Sequence, residues 1–156
     1  MKIVLAFDSY KGCLSAEDVC EAAKEGVLAV AQDAEVVCVP LSDGGEGLVD
    51  CFLRMGKGHA VQVRVHGPLM EEVLATYAIS EDGKTAYMEM SSACGLMLVP
   101  VEQRNPMETT TYGLGEMLVD VIERGVCHVV LGIGGSATCD GGMGMLEALA
   151  SWQEAK

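Results

Sequence analysis

The chain has 156 residues, a length sufficient for one domain with a hydrophobic core. Half of the residues are apolar and only 4% are aromatic, so this core must be mainly aliphatic. Its formal net charge of −13 argues against nucleic acid or an anionic membrane as a partner, because phosphate groups attract Lys and Arg. No apolar run reaches the roughly 18 residues that a membrane span requires.

Seven cysteines are scattered along the chain without a CxxC pair or a zinc-type spacing. The apolar start of the chain is too short for a signal peptide, because Asp8 interrupts it. We therefore expect a cytoplasmic protein whose cysteines are mostly small core residues. Cys139 is a candidate reactive thiol, since it lies in a glycine-rich turn, although no histidine is near it in sequence.

The first element is a predicted buried strand at residues 2–6, followed by a polar turn and an amphipathic helix that runs to about residue 31. Ser15 is the expected cap of this helix. The turn places Asp8, Ser9 and Lys11 at the carboxyl end of a strand, where open α/β sheets bind ligands.

A second strand is predicted at residues 34–39, and a glycine-rich turn with Asp43, Gly44 and Gly45 leads from it into another helix. Asp43 occupies the position of a helix N-cap. Two interpretations stay open, since this carboxylate could serve only as the cap or could belong to a ligand site.

The pattern then changes to alternating residues, which predicts an antiparallel meander with strands at 61–65, 73–79 and 85–90. His66 is expected to be exposed rather than to be a ligand. Glu89 falls on the polar face of its strand, where it is either solvated or lines a cleft. After a loop at Asn105, threonines 109–111 begin a helix, and capping is favoured for them over phosphate contact.

The most informative stretch is residues 132–144, which place six glycines with Ser136, Thr138 and Asp140 between a predicted strand and a helix. Such a turn lets backbone N–H groups surround an anion, and the following helix points its positive end at the same place. The residues suit a phosphate, a metal ion and a hydroxyl group to be activated. The alternative is a tight strand-to-helix connection without a ligand.

Together these elements predict an α/β fold with Rossmann-like or flavodoxin-like strand–turn–helix units and an antiparallel β-meander. We expect an N-terminal α/β part at residues 1–58 and a second α/β part with the meander at residues 59–156. A glycine-rich turn and helix normally deliver the chain to another strand, so the fold is expected to be incomplete.

Glycine-rich and small polar motifs occur in four stretches of the chain, at residues 6–12, 40–47, 89–96 and 132–142. In this order and spacing they resemble the bacterial glycerate kinase family of the two-domain type, and the run from Thr109 to Glu116 also fits. Phe7 and Cys139 depart from this family, which usually has proline and asparagine there. Members are more than twice as long, so the resemblance implies that this chain is the N-terminal part of such a protein.

The resemblance implies transfer of a phosphoryl group from ATP, with Mg²⁺, to a hydroxyl of D-glycerate. This chemistry needs a cation on the phosphoryl group, oxygen ligands for the metal and a carboxylate near the hydroxyl. Lys11 is the candidate cation for phosphate or the glycerate carboxylate, Asp43 or Asp140 the candidate base, and Asp8 or the other of that pair the Mg²⁺ ligand. Further candidate anion-binding residues are Ser9, Gly44, Gly45, Gly134, Gly135, Ser136 and Thr138.

Several alternatives stay open. The chain could instead be a non-catalytic, anion-binding or oligomeric remnant of such a kinase, because a missing second half would expose apolar surface. The acceptor could be another small hydroxy acid. The sequence leaves undecided whether carbon 2 or carbon 3 is phosphorylated, and which glycine-rich turn binds ATP.

Overall fold

A computed structural model describes residues 1–156. The chain forms two compact units, Met1–Asp43 and Gly44–Lys156. The first contains β1 (Lys2–Leu5), α1 (Ala16–Val30) and β2 (Glu35–Cys38). The second contains α2 (Leu48–Arg54), β3 (Gly58–His66), β4 (Glu72–Ser80), β5 (Thr85–Glu89), α3 (Ser91–Cys94), α4 (Tyr112–Glu123), β6 (His128–Gly132) and α5 (Met143–Glu154).

The first unit is a strand–turn–helix–strand unit, as predicted. Strands β1 and β2 are parallel, with Ile3 opposite Val36. Ser15 caps α1, since its side chain accepts a hydrogen bond from the backbone N–H of Asp18. The helix buries Val19 and Cys20. The parallel pairing follows from the helical crossover between the strands.

The second unit is built on a four-stranded sheet in the order β3-β4-β5-β6. The three strands β3 to β5 are antiparallel neighbours, which confirms the predicted meander. Strand β6 adds to the meander parallel to β5, with Ala86 opposite Val129. A parallel neighbour is possible here because the chain between β5 and β6 is long enough to cross the sheet through α4.

Helices cover both faces of this sheet. On one face Tyr77 and Met88 pack with Leu114 and Met117 of α4 in a fully buried cluster. On the other face Phe52 of α2 stacks on the ring of Tyr87, with 3.8 Å between the ring centroids. Neighbouring residues of a strand point to opposite faces, so the sheet separates two apolar layers.

Two expectations differ from the structure. Helix α2 packs on β3, β4 and β5, so the compact units divide after Asp43 and not after residue 58. The cysteines are also less buried than expected, since only Cys20 and Cys94 are buried, and Cys13, Cys127 and Cys139 are exposed. All seven are free thiols. No helix has both the length and the apolar character needed to cross a bilayer.

Candidate active site

The glycine-rich turn after β6 begins with a loop that is held on both sides. Gly135, at a φ of 71°, accepts a hydrogen bond at its carbonyl from the N–H of Leu96 at 2.8 Å. The N–H of Ala137 donates to the carbonyl of Cys94 at 2.9 Å, and Thr109 Oγ1 donates to the carbonyl of Ala137 at 2.8 Å. The loop 134–138 is therefore tied to the segment that follows β5 and to the start of α4.

Two glycines of this turn are needed for close backbone packing. A Cβ atom at Gly132 would lie 2.3 Å from the carbonyl oxygen of Gly44, and one at Gly134 would lie 2.7 Å from Cα of Gly45. The N–H of Gly134 also donates to the carbonyl of Gly44 at 2.9 Å. The amide of Gly134, a predicted anion donor, is thus already bonded, whereas Gly135 and Ser136 donate their N–H groups to no protein acceptor.

Asp140 lies at the opposite end of the turn and acts as a cap for α5. Its carboxylate accepts hydrogen bonds from the N–H groups of Gly142 and Gly144, and from both the N–H and the hydroxyl of Thr111. Its backbone carbonyl accepts from Met143. The positive end of α5 was predicted to face a bound anion, but the anion that it faces is Asp140 itself.

These hydrogen bonds stabilise the ionised form of Asp140. Burial raises the pKa of its carboxyl group, but the donors on Thr111, Gly142 and Gly144 outweigh burial, so the pKa is lower than that of an ordinary aspartate. An aspartate held in this way is ionised at neutral pH and has little tendency to accept a further proton. Its arrangement fits a positioning role better than that of a general base.

The threonines before α4 were expected to cap that helix. Thr110 does so, since its Oγ1 accepts a hydrogen bond from the N–H of Tyr112 at 3.2 Å, whereas Thr111 does not. It occupies the N-cap position of α4 without a side-chain hydrogen bond to that helix. Its hydroxyl instead donates to Asp140 and accepts from the N–H of Met145 at 3.0 Å. Thr111 therefore satisfies an amide of α5, the helix that packs beside α4.

Ser136 and Thr138, two of the candidate anion-binding residues, lie together in the anchored loop. Their hydroxyl oxygens are 2.8 Å apart, and the N–H of Thr138 donates to Ser136 Oγ at 3.0 Å. Both residues line a cavity of about 240 Å³ whose other wall is formed by residues 96–109. The loop thus presents hydroxyl groups to a space in which a small molecule fits.

In the first unit the predicted residues form two local pairs. Lys11 Nζ lies 3.5 Å from Asp43 Oδ2, and both side chains are about half exposed. Asp8 Oδ1 accepts a hydrogen bond from the N–H of Ser9 at 2.6 Å. The predicted cation and one of the two predicted bases are therefore neighbours.

Asp43 is not the N-cap of α2. That position belongs to Gly47, whose φ of 88° is in the left-handed region and which has no side chain for capping. Glu89 at the end of β5 supplies the missing acceptor, since its Oε2 accepts from the N–H of Val49 at 3.3 Å. Burial raises the pKa of Glu89, the hydrogen bond with Val49 lowers it, and the nearby Asp50 raises it, with a net increase.

A further carboxylate, Glu116 on α4, is bonded to the end of β3. Its Oε2 accepts from the N–H of His66 at 2.6 Å, and its Oε1 lies 2.8 Å from His66 Nδ1. His66, which was expected to be exposed, is therefore hydrogen-bonded to Glu116, and its side chain is 45% exposed. The ring of Tyr112 meets the imidazole edge to face at 5.6 Å.

Sequence reasoning missed Arg104, Glu116 and the capping role of Glu89. The alternation of β5 places Glu89 on the same face as Tyr87, so a helix covering that face would have indicated its burial. Arg104 and Glu116 gave no such signal, because their partners are distant in sequence or belong to the backbone.

No group of three or more His, Cys, Asp or Glu side chains is arranged to hold a metal ion. A Mg²⁺ site does not require such a group, because Mg²⁺ commonly binds through one or two carboxylates together with substrate phosphates and water. Asp8 fits such a role, since its Oδ2 accepts no hydrogen bond from the protein.

Comparison with known proteins gives a consistent result. A model described as the glycerate kinase family matches residues 3–153. A glycerate kinase of Bacillus cereus is 50% identical over 149 residues, which are 96% of this chain and 39% of that protein. The glycerate 2-kinase of Escherichia coli is 48% identical over 151 residues, which are 97% of this chain and 40% of that protein.

The similarity extends to a solved structure. A crystal structure assigned as glycerate kinase 2 from Salmonella typhimurium LT2 superposes with a TM-score of 0.71 at 47% identity, covering 96% of this chain and 40% of that chain. The chain therefore spans about two fifths of the length of the curated relatives and of the solved structure that it matches.

Proposed function

The chain belongs to the glycerate kinase family, and from this premise we propose that the full-length protein transfers the γ-phosphoryl group of ATP to a hydroxyl of D-glycerate. The observation that carries the proposal is the anchored loop 134–138, which presents two hydroxyl groups and two unbonded N–H groups in one turn. Phosphoryl transfer depends mainly on positioning and on neutralising charge, and a rigid loop of donors supplies both.

We assign the phosphate contacts to this loop. The N–H groups of Gly135 and Ser136 are donors that suit phosphate oxygens, and so is the one hydroxyl of the Ser136–Thr138 pair that does not donate to the other. Hydrogen bonds to Leu96 and Cys94 hold the loop in place before any ligand arrives, so little ordering is needed on binding.

We assign the base to Asp43 and not to Asp140. Four donors already bind the carboxylate of Asp140, which makes it a poor proton acceptor. Asp43 is about half exposed beside Lys11 and can accept the proton of the glycerate hydroxyl as its oxygen attacks phosphorus. Lys11, whose Nζ lies 3.5 Å from Asp43 Oδ2, is the cation that we assign to the charge on the transferred phosphoryl group.

Mg²⁺ is part of the proposal, and Asp8 is the residue that would hold it in this chain. A bound Mg²⁺ would neutralise charge on the phosphates of ATP. The acidic composition is compatible with this chemistry, because a small anion needs only a local cation rather than a basic surface.

The test is a coupled assay of ADP release by the full-length protein with Mg²⁺, ATP and D-glycerate, with NMR of the product to distinguish carbon 2 from carbon 3. Asp43→Asn is expected to lower kcat by about 10²-fold or more. Asp33→Asn removes the same charge at an exposed position and is the matched control. Absence of phosphoglycerate, or equal rates for the two variants, would contradict the proposal.

A panel of small hydroxy acids in the same assay separates glycerate from other acceptors. A different preferred acceptor would leave the requirement for ATP unchanged and would replace the proposed substrate. Release of ADP without acceptor dependence would count against kinase activity of this kind.

A further inference from the structure

The cavity beside the anchored loop is lined by residues of the second unit alone. Leu96 and Val99 form an apolar side, and Ser136 and Thr138 form a polar side. Arg104 also lines the cavity and is the only charged residue among its lining residues. In a chain with 23 acidic and 10 basic residues, a cavity that has an arginine and no carboxylate is positively charged against the trend of the whole molecule.

Arg104 is also free of an acidic partner. Its Nε–H donates to the backbone carbonyl of Val99 at 3.2 Å, and it forms no ion pair. Other arginines of this unit differ, since Arg64 pairs with Glu72 and Arg124 pairs with Asp120. The contact with Val99 orients the guanidinium but leaves its charge unbalanced and its four Nη–H donors available.

We propose that this cavity binds the carboxylate of the acceptor acid, with Arg104 as the residue that recognises it. The inference rests on the proposed function and deepens it, because the earlier candidate for this role, Lys11, already has Asp43 as a neighbour. The Nη groups of an arginine bind the two oxygens of a carboxylate in a forked pair. The hydroxyls of Ser136 and Thr138 line the same cavity, so the acceptor reaches the loop assigned to phosphate.

The size and charge of the cavity favour the acceptor over the nucleotide. A volume of about 240 Å³ is suited to a three-carbon acid, since pockets for larger ligands usually begin at about 300 Å³. One arginine matches the single charge of a carboxylate, whereas a triphosphate requires more cations or a metal. The start of α5 supplies no extra positive charge, because Asp140 already occupies it.

The first test measures kinetics of the full-length protein. Arg104→Gln is expected to raise the KM for D-glycerate about 10- to 100-fold, the effect of losing one charge-assisted hydrogen-bonded pair, and to leave the KM for ATP unchanged. Arg64→Gln, at an exposed position on β3, is the matched control and should leave both constants unchanged. A changed KM for ATP with an unchanged KM for glycerate would overturn the inference.

The second test reads binding without catalysis. Cys139 lines the cavity and is exposed, and Cys127 is an exposed thiol outside it. D-glycerate alone should slow alkylation of Cys139 by iodoacetamide and leave Cys127 unaffected, as read by mass spectrometry, and Arg104→Gln should abolish this protection. Protection by ATP alone, or by neither ligand, would overturn the inference.

The two tests distinguish the inference from the proposed function. If D-glycerate protects Cys139 through Arg104 but no phosphoglycerate forms, the carboxylate site stands and the kinase reaction is refuted. If phosphoglycerate forms and Arg104→Gln changes neither the KM for glycerate nor the labelling, the reaction stands and the site is refuted.

Discussion

Asp140 Oδ2 accepts hydrogen bonds from both the backbone N–H and the hydroxyl of Thr111, each at 2.8 Å. The same hydroxyl accepts from the N–H of Met145, so one residue at the start of α4 joins the carboxylate that caps α5 to that helix itself. This connection holds the far end of the glycine-rich turn, while Leu96 and Cys94 hold its near end. Protein hydrogen bonds therefore hold both ends of the turn in the absence of a ligand.

The first prediction concerns the stability of this connection. Asp140→Ala removes the acceptor of four hydrogen bonds at a helix start, and we expect it to lower the free energy of unfolding of this chain by about 2 kcal/mol. Urea unfolding followed by circular dichroism measures the change. Asp33→Ala, at an exposed site, should change it little, and an equally small effect at Asp140 would contradict the capping role.

The second prediction is the pH dependence of the same contribution. The pKa of Asp140 is lower in the folded chain than in the unfolded chain, where an aspartate has a pKa of about 3.9. Its ionised form therefore stabilises the fold above that pH, and this contribution is lost as the pH falls through the folded pKa. The difference in unfolding free energy between wild type and Asp140→Asn should be constant from pH 7 to pH 5 and shrink below pH 4. A constant difference at all pH values would refute it.

The third prediction concerns Glu89, whose pKa is shifted in the direction opposite to that of Asp140. Because the pKa of Glu89 is raised in the folded chain, protonated Glu89 favours folding, and this advantage is lost as the pH rises through the folded pKa. Glu89→Gln cannot ionise, so its stability relative to wild type should increase between about pH 4 and pH 7. Unfolding curves at both pH values give the comparison. Glu81→Gln, at an exposed position in a turn, serves as the control, and a relative decrease for Glu89→Gln would show that burial is not the dominant cause.

The fourth prediction tests the contact of α4 with α5. A Cβ at Gly115 would lie 2.5 Å from the carbonyl oxygen of Met145 and 2.7 Å from Cβ of Ala148. Gly115→Ala should therefore push the helices apart and cost about 1–3 kcal/mol in unfolding free energy. Gly26→Ala, on a helix with no atom within 4 Å of the new Cβ, should instead stabilise the chain by about 0.5–1 kcal/mol. Similar effects of the two changes would contradict the close approach.

Periodicity located most elements of this protein, because helices and strands differ in how often an apolar residue recurs. The strands of the meander, the helix capped by Ser15 and the strand before the glycine-rich turn all occur near their predicted positions. The short α3 escaped notice, since four small residues carry no periodic pattern. For the glycine-rich turn the sequence predicted either a ligand site or a tight strand-to-helix connection, but it did not predict the hydrogen bonds that hold the turn.

The amino-acid sequence by itself determined the α/β class, the meander and the membership of the glycerate kinase family, because these depend on local patterns and on motif order. Only the tertiary structure decided what the polar residues do. The hydroxyl of Thr111, at the N-cap of α4, accepts a hydrogen bond from α5. The carboxylate of Glu89 accepts one from the first turn of α2. Arg104 lines a cavity that contains no acidic residue. Each of these roles depends on a group distant in sequence or on a backbone carbonyl. Contacts of either kind produce no periodic pattern of residue types in the sequence.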